Sequence, residues 1–146
     1  MAKVEQVMSS TITSVSPASP IIEVAQKMRD FGVSTMPVCE KGKFRGIITD
    51  SSIVSKVVAS AHNPKREHAK SFMTNGMPKV SVGCDIVEAA KIMASHRVHY
   101  LPVVHNGGKF VGLLTLDDLV KESLALASMV LARTDEKQSA NGSRRK

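Results

Sequence analysis

Two stretches of this chain repeat one pattern of residues. The first copy runs through Met36-Pro37-Val38 and then Gly46-Ile47-Ile48-Thr49, and the second through Leu101-Pro102-Val103 and then Gly112-Leu113-Leu114-Thr115. An internal repeat constrains the architecture before any other feature, because each copy is one structural unit that buries its apolar face against its neighbour. Differences between the copies can also be compared position by position within the one chain.

The spacing between the copies is nearly constant. The offset is 65 between Met28 and Met93 (93 − 28) and 66 between Thr49 and Thr115 (115 − 49), so one residue is inserted in the Gly107-Gly108 turn. The chain has 146 residues, enough for two repeats of about 60 residues, each marginal alone because small units bury too little surface. Aromatic residues make up only 3% and Trp is absent, so the core is expected to consist of aliphatic side chains and Met.

The composition argues against a membrane protein and against a disulfide framework. No apolar run approaches the roughly 18 residues that span a bilayer, and the first residues lack the apolar stretch of a signal peptide. We therefore expect no membrane association and a cytoplasmic location. Cys39 and Cys84 form no Cys-x-x-Cys motif, which agrees with a reducing compartment.

The chain is basic, with a formal net charge of +7, and part of that charge lies in the linker 63–68 and at the C-terminus, 144–146. A basic surface attracts nucleic acid or another polyanion. The alternative is that the charge only keeps the protein in solution. No basic stripe interleaved with aromatic residues is visible in the sequence, so a nucleic-acid partner is a secondary hypothesis.

Each copy has the pattern of an extended segment, a helix, two strands and a second helix. Apolar residues within Ile21–Met28 recur with the i, i+3, i+4, i+7 spacing of one helix face. The predicted fold class is α/β, in its α+β form, with small sheets flanked by helices. We place the first repeat with its linker at 1–66, the second repeat at 67–131 and a disordered basic tail at 132–146.

Specific residues mark the expected helix ends. Ser19 before Pro20 predicts the N-cap of the first long helix, and Gly32 predicts its end. In the second copy, Asp85 and Glu88 have the spacing of a capping box.

The last helix is predicted to start near Leu116 and to reach at least Leu131, further than its counterpart in the first copy. Its apolar stripe, which includes Val120 and Leu124, is larger than a two-repeat core needs. Two interpretations stay open. The stripe packs back on its own domain, or it forms a contact with a second chain.

The order of elements and the paired motifs resemble those of the CBS domain (cystathionine beta-synthase type). The resemblance rests on Met36-Pro37-Val38 and Gly46-Ile47-Ile48-Thr49, on their counterparts in the second copy, and on the openings Val7-Met8 and Phe72-Met73. It covers about residues 4 to 128, so the chain looks like a stand-alone CBS pair. The resemblance implies pseudo-twofold repeats, often in a homodimer, whose clefts bind AMP, ADP, ATP or S-adenosylmethionine. It also implies a regulatory module without a required cofactor or a catalytic role, acting on an unidentified effector protein.

The resemblance further indicates where such a ligand binds. In adenosine-binding members a Thr or Ser ends the second strand, and an Asp three residues later takes the ribose hydroxyls in charge-assisted hydrogen bonds; here Thr115 and Asp118 match. Asp117 stands where a residue facing the phosphates is often found, and its charge favours a less anionic ligand. Val33 and Met36 are equally explained as core residues. The implied walls of this cleft are Ser9, Ser10, Thr11, Thr13, Val33, Thr35, Met36 and Pro37.

The first copy departs from this pattern at one position. Thr49 is present, but Ser52 stands where the Asp would be, so the other cleft is predicted to bind adenosine better. The implied walls of this weaker cleft include Pro78, His99 and Tyr100. His99 falls where some members carry a basic residue that contacts phosphate, and a neutral surface histidine is the alternative.

Other chemistry is not indicated by the sequence. His96 and His99 are spaced across an expected helix end, so their rings should not converge on a metal ion. No Gly-x-Ser-x-Gly motif and no phosphate-binding glycine-rich loop is present, so we expect neither enzyme activity nor metal binding. Three hypotheses remain: a ligand-sensing regulatory module, a nucleic-acid-associated protein, and a structural dimerisation module with degenerate clefts.

Overall fold

A computed structural model describes residues 2–9 and 13–144, with residues 135–144 described as backbone. The chain divides into two compact units, which we name after the copy that supplies most of each. The first-copy unit contains residues 12–77 and 108–110, and the second-copy unit contains residues 1–11, 78–107 and 111–146. The opening residues therefore belong with the second copy, although the sequence places them in the first repeat. The repeat boundaries at residues 66 and 131 stay predictions.

Each copy contains the expected helix, strand, strand and helix in that order. None of the helices in the described ranges is long and apolar enough to span a membrane. A π-helix (Ile53–Val58) and a 3₁₀ turn (Ala69–Ser71) follow the first hairpin. The other elements are α1 (Val4–Val7), α2 (Ile21–Phe31), β1 (Thr35–Glu40), β2 (Lys43–Thr49), α3 (Asp50–Ser52), β3 (Val80–Ser81), α4 (Ile86–His96), β4 (Tyr100–His105), β5 (Lys109–Thr115), α5 (Leu116–Glu122) and α6 (Leu124–Arg144).

The five strands form one sheet in the order β1-β2-β5-β4-β3. β1 and β2 are an antiparallel hairpin in which Thr35 pairs with Thr49, and β3 runs parallel to β4. β5 joins β2 through the pair Lys43 and Lys109, which lies within the first-copy unit. The mixed α+β class predicted from the sequence is confirmed.

α2 buries the face that its sequence predicts. Ile21, Val24 and Met28 are buried in one core with Met36, as their i, i+3, i+7 spacing requires. Burial of each such side chain contributes about 1.5–3 kcal/mol. The helix ends at Gly32, whose φ of 64° is the left-handed conformation that favours glycine, so this predicted end is confirmed.

α2 starts one residue later than the sequence predicts. Its N-cap is Pro20, and the hydroxyl of Ser19 instead accepts a hydrogen bond from the amide of Ser16 at 3.0 Å. The amide of Ile21 donates to the carbonyl of Glu67 at 2.8 Å. A backbone carbonyl of the linker therefore accepts a hydrogen bond from the first amide of α2, a helix start that has no side-chain cap.

α4 begins after Asp85, as predicted, and Oδ1 of Asp85 accepts from the amide of Val87 at 2.8 Å. The predicted capping box with Glu88 is wrong for this described helix end, because Asp85 binds the second helical amide and not the third. The apolar face of α4 buries Ile86 and Met93 in one core with Val4 of α1.

Neither copy has a single continuous α-helix after its hairpin. In the first copy, α3 passes directly into the π-helix Ile53–Val58. In the second copy, Ser123 is extended, with φ at −157°, and separates α5 from α6. The hydroxyl of Ser123 accepts from the amide of Leu126 at 3.4 Å, an N-cap interaction that starts a new helix. The continuous helix predicted from Leu116 to Leu131 is therefore wrong at Ser123.

α6 packs on its own unit along much of its apolar stripe. Ala127 and Val130 are fully buried in the second-copy core, whereas Leu124 and Leu131 are 69% and 40% exposed. The backbone of α6 continues to Arg144, whereas the sequence predicts a disordered tail from residue 132. Seven of the thirteen residues 132–144 are Ala, Arg, Glu, Lys or Gln, whose high helix propensity favours this helix. Residues 145 and 146 lie outside the described part of the chain.

Candidate functional site

Thr115 and Asp118 form a reciprocal pair of hydrogen bonds at the start of α5. The amide of Thr115 donates to Oδ2 of Asp118 at 2.9 Å, and the amide of Asp118 donates to Oγ1 of Thr115 at 3.3 Å. This capping box satisfies two amides at the helix end. No described residue donates to Oδ1 of Asp118, so this half-buried carboxylate keeps an acceptor for another molecule.

Thr49 and Ser52 form the same capping motif in the first copy. Oγ1 of Thr49 accepts from the amide of Ser52 at 3.2 Å, and Oγ of Ser52 accepts from the amide of Thr49 at 3.3 Å. The Ser52 hydroxyl also donates to the carbonyl of Thr49 at 2.8 Å, which uses its only proton. The two copies therefore share the helix cap and differ in the spare carboxylate oxygen.

The opening segment of each copy lies against the return strand of the other copy. Ser9 forms an antiparallel bridge with Leu113 of β5, and Thr74 forms one with Ile47 of β2. The first bridge lies in the second-copy unit, which also contains Thr115. Ser9 therefore belongs to the unit in which the sequence predicts it to act.

Glycine makes this close approach possible. A Cβ atom at Gly112 would lie 2.7 Å from Sδ of Met8 and 2.9 Å from the carbonyl oxygen of Ser9. At Gly46, a Cβ atom would lie 2.7 Å from the carbonyl oxygen of Thr74. Sequence reasoning missed Met8 as a contact residue, and the glycine shared by both copies is the signal that could have located it.

The segment before each proline lies beside the end of its own hairpin. The carbonyl of His99 accepts from the amide of Leu116 at 2.8 Å, and that of Ser34 accepts from the amide of Asp50 at 3.0 Å. The physical reason is antiparallel pairing, which returns the end of each hairpin beside its own beginning. The structure therefore places Val33, Thr35, Met36 and Pro37 in one unit with Thr49 and Ser52, and His99 and Tyr100 in the other with Thr115 and Asp118.

The His99 side chain is engaged within the second-copy unit. Its Nε2 lies 2.7 Å from Oγ1 of Thr134 on α6, and the Thr134 hydroxyl donates to the carbonyl of Val130 at 3.2 Å. Because that hydroxyl proton is used, Nε2 of His99 donates to Thr134. A phosphate contact by Nε2 of His99 requires the bond to Thr134 to break.

The other predicted wall residues are spread over both units. Met36 is fully buried and is a core residue, whereas Val33 is 37% exposed. Tyr100 is half-buried, and burial raises the pKa of its phenol. Asp117 is exposed on the first turn of α5. Ligand binding by any of these residues stays a prediction.

Two further predicted residues lie in the unit opposite to the one that holds their expected capping pair. Thr13 is half-buried in the first-copy unit, and Pro78 is half-buried in the second-copy unit. Ser10 and Thr11 lie outside the described residues.

Among the described residues, no group of three or more His, Cys, Asp or Glu side chains could hold a metal ion. Nδ1 of His96 lies 3.0 Å from the carbonyl of Ile92 on its own helix.

Comparison with known proteins finds one family pattern in both copies. The family model for the CBS domain matches residues 4–59 and 69–125. The uncharacterized protein MK0525 of Methanopyrus kandleri is 33% identical over 119 residues, which cover 81% of this chain and 61% of that protein. The chain thus spans less than two thirds of this relative. The CBS domain-containing protein YhcV of Bacillus subtilis is 29% identical over 138 residues, covering 92% of this chain and 95% of YhcV.

Solved structures share the fold. The CBS domain protein TA0289 of unknown function from Thermoplasma acidophilum has a TM-score of 0.79 at 22% identity, covering 90% of this chain and 75% of that one. CBSX2, solved in complex with AMP, has a TM-score of 0.74 at 20% identity, covering 86% and 98%. A hexameric CBS-CP12 protein from bloom-forming cyanobacteria has a TM-score of 0.72 at 21% identity, covering 84% and 72%.

Proposed function

This chain belongs to the CBS domain family, and we propose that it is a regulatory module that senses an adenosine-containing compound: AMP, ADP, ATP or S-adenosylmethionine. The proposed site is centred on Thr115 and Asp118 in the second-copy unit. CBS domain proteins of this size are generally regulatory, so we propose no catalytic role and no cofactor beyond the ligand. The cytoplasmic location stays a prediction from the sequence.

The observation that carries the proposal is the spare oxygen of Asp118. Its Oδ2 is held by the amide of Thr115, which fixes the carboxylate, while Oδ1 has no donor among the described residues. A ribose presents two neighbouring hydroxyl donors, and a carboxylate accepts them in charge-assisted hydrogen bonds. Ser52 spends its proton on its own cap and offers no such acceptor. We therefore propose one strong site and one weak site.

We propose walls of mixed polarity for this site, made of residues from the same unit as Asp118. Ser9 is exposed, and His99 and Tyr100 are half-buried in the same unit. Such a mixture of apolar surface and a few directed polar groups is typical of small-molecule sites. By the same grouping, the weaker site is proposed around Thr49, with Thr35 as its hairpin partner.

Asp117 bears on the charge of the ligand. Its carboxylate is exposed on the same helical turn as Asp118. Because a carboxylate repels phosphate groups, we propose that AMP and S-adenosylmethionine bind more tightly than ATP.

Isothermal titration calorimetry with AMP, ADP, ATP and S-adenosylmethionine tests this function. The informative variant is Asp118→Ser, because Ser52 shows that serine maintains the same cap. Hydrogen bonds to a charged group contribute about 1.5–3 kcal/mol, so we expect the variant to bind at least about tenfold more weakly. The matched control, Ser52→Ala, should leave the affinity of the strong site unchanged. Failure of all four compounds to bind the folded protein at roughly millimolar concentration would overturn the proposal.

We also propose a second copy of this chain as a partner. Exposed apolar residues occupy equivalent positions in the two copies: Val54 and Val120 (120 − 54 = 66), and Val58 and Leu124 (124 − 58 = 66). Each is at least 46% exposed, and contact with another chain would remove this surface from water. The same residues favour the runner-up function, a dimerisation module without a ligand.

Sedimentation equilibrium tests whether the chain forms a dimer through these residues. We expect a dimer for the unmodified chain and a monomer for Val54→Ser combined with Val120→Ser. A monomeric unmodified chain would contradict the partner proposal and leave the ligand proposal standing.

A further inference from the structure

A short motif occurs in both copies, and the structure pairs its two occurrences. Gly42-Lys43-Phe44 and Gly108-Lys109-Phe110 both lie in the first-copy unit. The amide of Phe44 donates to the carbonyl of Gly108 at 3.3 Å, and the amide of Phe110 donates to the carbonyl of Gly42 at 2.9 Å. The two phenylalanine rings have centroids 5.8 Å apart. Backbone bonds and a ring contact therefore hold the two segments together.

Lys43 and Lys109 stand directly opposite each other across this junction. The two hydrogen bonds flank them, so they form a non-hydrogen-bonded antiparallel pair. In such a pair the Cα atoms are about 4.5 Å apart and the side chains project from the same face. Both lysines are exposed. Like charges directly opposite each other weaken strand pairing, so stability of the fold does not explain this pair.

The charge around the pair is unbalanced. Arg45 lies two residues after Lys43 on β2, at an irregularity in the pairing with β1, and it forms an ion pair with Glu40 at 3.1 Å. Lys41, Lys43 and Lys109 have no acidic partner among the described residues. Four cations and one carboxylate leave a local charge of +3 (4 − 1).

The surface at the junction is open. A Cβ atom at either Gly42 or Gly108 would meet nothing within 4 Å. A small ligand is normally enclosed by the walls of a pocket, whereas unpaired cations on an open edge suit an extended anion with repeated charges. We propose that this lysine edge, made of Lys41, Lys43, Arg45 and Lys109, binds the phosphate backbone of a nucleic acid.

The proposal is separate from the adenosine site and from the basic C-terminus. It places the contact at the starts of two paired strands, β2 and β5, whose lysines come from different copies, a juxtaposition that only the fold reveals. Because cations on such an edge contact phosphates and not base edges, the binding should be salt-dependent and insensitive to sequence.

Fluorescence anisotropy with labelled duplex DNA of roughly 20 base pairs and with single-stranded RNA tests the lysine edge. Affinity is measured between about 50 and about 200 mM KCl. The test variant combines Lys43→Glu with Lys109→Glu, and the control combines Lys65→Glu with Arg66→Glu, which are exposed linker residues of the same unit. Both double variants lower the formal charge of the chain from +7 to +3 (7 − 4).

We expect the test variant to bind DNA or RNA at least about tenfold more weakly, with the slope of log affinity against log salt reduced by about two. The control should retain more than half of the affinity. The pair Lys43→Gln and Lys109→Gln should give an intermediate loss, and circular dichroism shows whether each variant folds. Equal losses in test and control variants, binding of tripolyphosphate without binding of either nucleic acid, or no binding at the lowest salt would each overturn the proposal.

Discussion

Oδ2 of Asp118 accepts a hydrogen bond from the amide of Thr115 at 2.9 Å, while Oδ1 of the same carboxylate has no donor among the described residues. One side chain thereby closes a helix cap and keeps an acceptor for a ligand. Ser52 closes the equivalent cap with Thr49 and has no carboxylate oxygen to offer a ligand. Stability should therefore depend similarly on both caps, whereas ligand binding should depend on one.

Removal of either N-cap hydroxyl should destabilise the protein to a similar degree. We expect Thr115→Ala and Thr49→Ala each to lower the free energy of unfolding by about 1 kcal/mol, because each leaves a helix-end amide without its acceptor. Urea denaturation measures the change. Thr→Ser at the same positions retains the hydroxyl and should retain most of the stability. An unchanged free energy of unfolding for Thr115→Ala would contradict the capping role.

The glycine of each return strand should be required for packing of the opening segment. Gly112→Ala places a Cβ atom 2.7 Å from Sδ of Met8 and 2.9 Å from the carbonyl oxygen of Ser9, so we expect a loss of about 1–3 kcal/mol. Hydrogen exchange should increase at Ser9. The matched control is Gly83→Ala, whose Cβ atom meets nothing within 4 Å and which should change stability by less than about 0.5 kcal/mol. Equal effects of the two substitutions would count against this contact.

Replacement of Arg97 by glycine, the residue at the equivalent position of the first copy, should increase the stability of the fold. Arg97 ends α4 in the left-handed conformation with φ at 54°, and the equivalent Gly32 ends α2 with φ at 64°. Because a left-handed conformation costs a non-glycine residue about 1–2 kcal/mol, we expect Arg97→Gly to raise the midpoint of thermal unfolding. The reciprocal Gly32→Arg should lower it. A lowered midpoint for Arg97→Gly would show that the arginine side chain stabilises the fold.

Both thiols should react slowly in the native protein. Burial raises the pKa of Cys39, and burial together with the carboxylates of Glu88 and Asp85 raises the pKa of Cys84. Since the thiolate is the reactive form, iodoacetamide should modify both thiols more slowly at about pH 8 than after unfolding in urea. A raised native pKa means that the folded state favours the protonated thiol. The corresponding stabilisation is complete below the unfolded-state pKa of about 8.5 and is lost as the pH rises through the native value.

Two single-cysteine variants assign each alkylation rate to one thiol. Cys39→Ser leaves Cys84 as the reactive thiol, and Cys84→Ser leaves Cys39. Equal alkylation rates in the folded and unfolded protein would show that the thiols are not protected.

Features that both copies share could be predicted from the sequence. The buried face of α2 and its end at Gly32 follow from periodicity and from glycine's access to the left-handed conformation. The break between α5 and α6 at Ser123 could not be predicted, because the periodic apolar pattern of the sequence continues across this residue. The closeness of Thr115 and Asp118 could be predicted from their spacing at a helix start, whereas ligand binding by them and by the wall residues stays a prediction. The grouping of His99 with Leu116 depends on hairpin pairing, and its bond to Thr134 joins residues 35 positions apart.

Native mass spectrometry with AMP tests the central claim most directly, because it counts the ligands held by each chain. The account predicts one AMP per chain for the unmodified protein, none for Asp118→Ser at the same concentration, and a second AMP for Ser52→Asp, which adds the missing carboxylate to the first copy. Retention of one AMP by the Asp118→Ser chain, at undiminished occupancy, would contradict it.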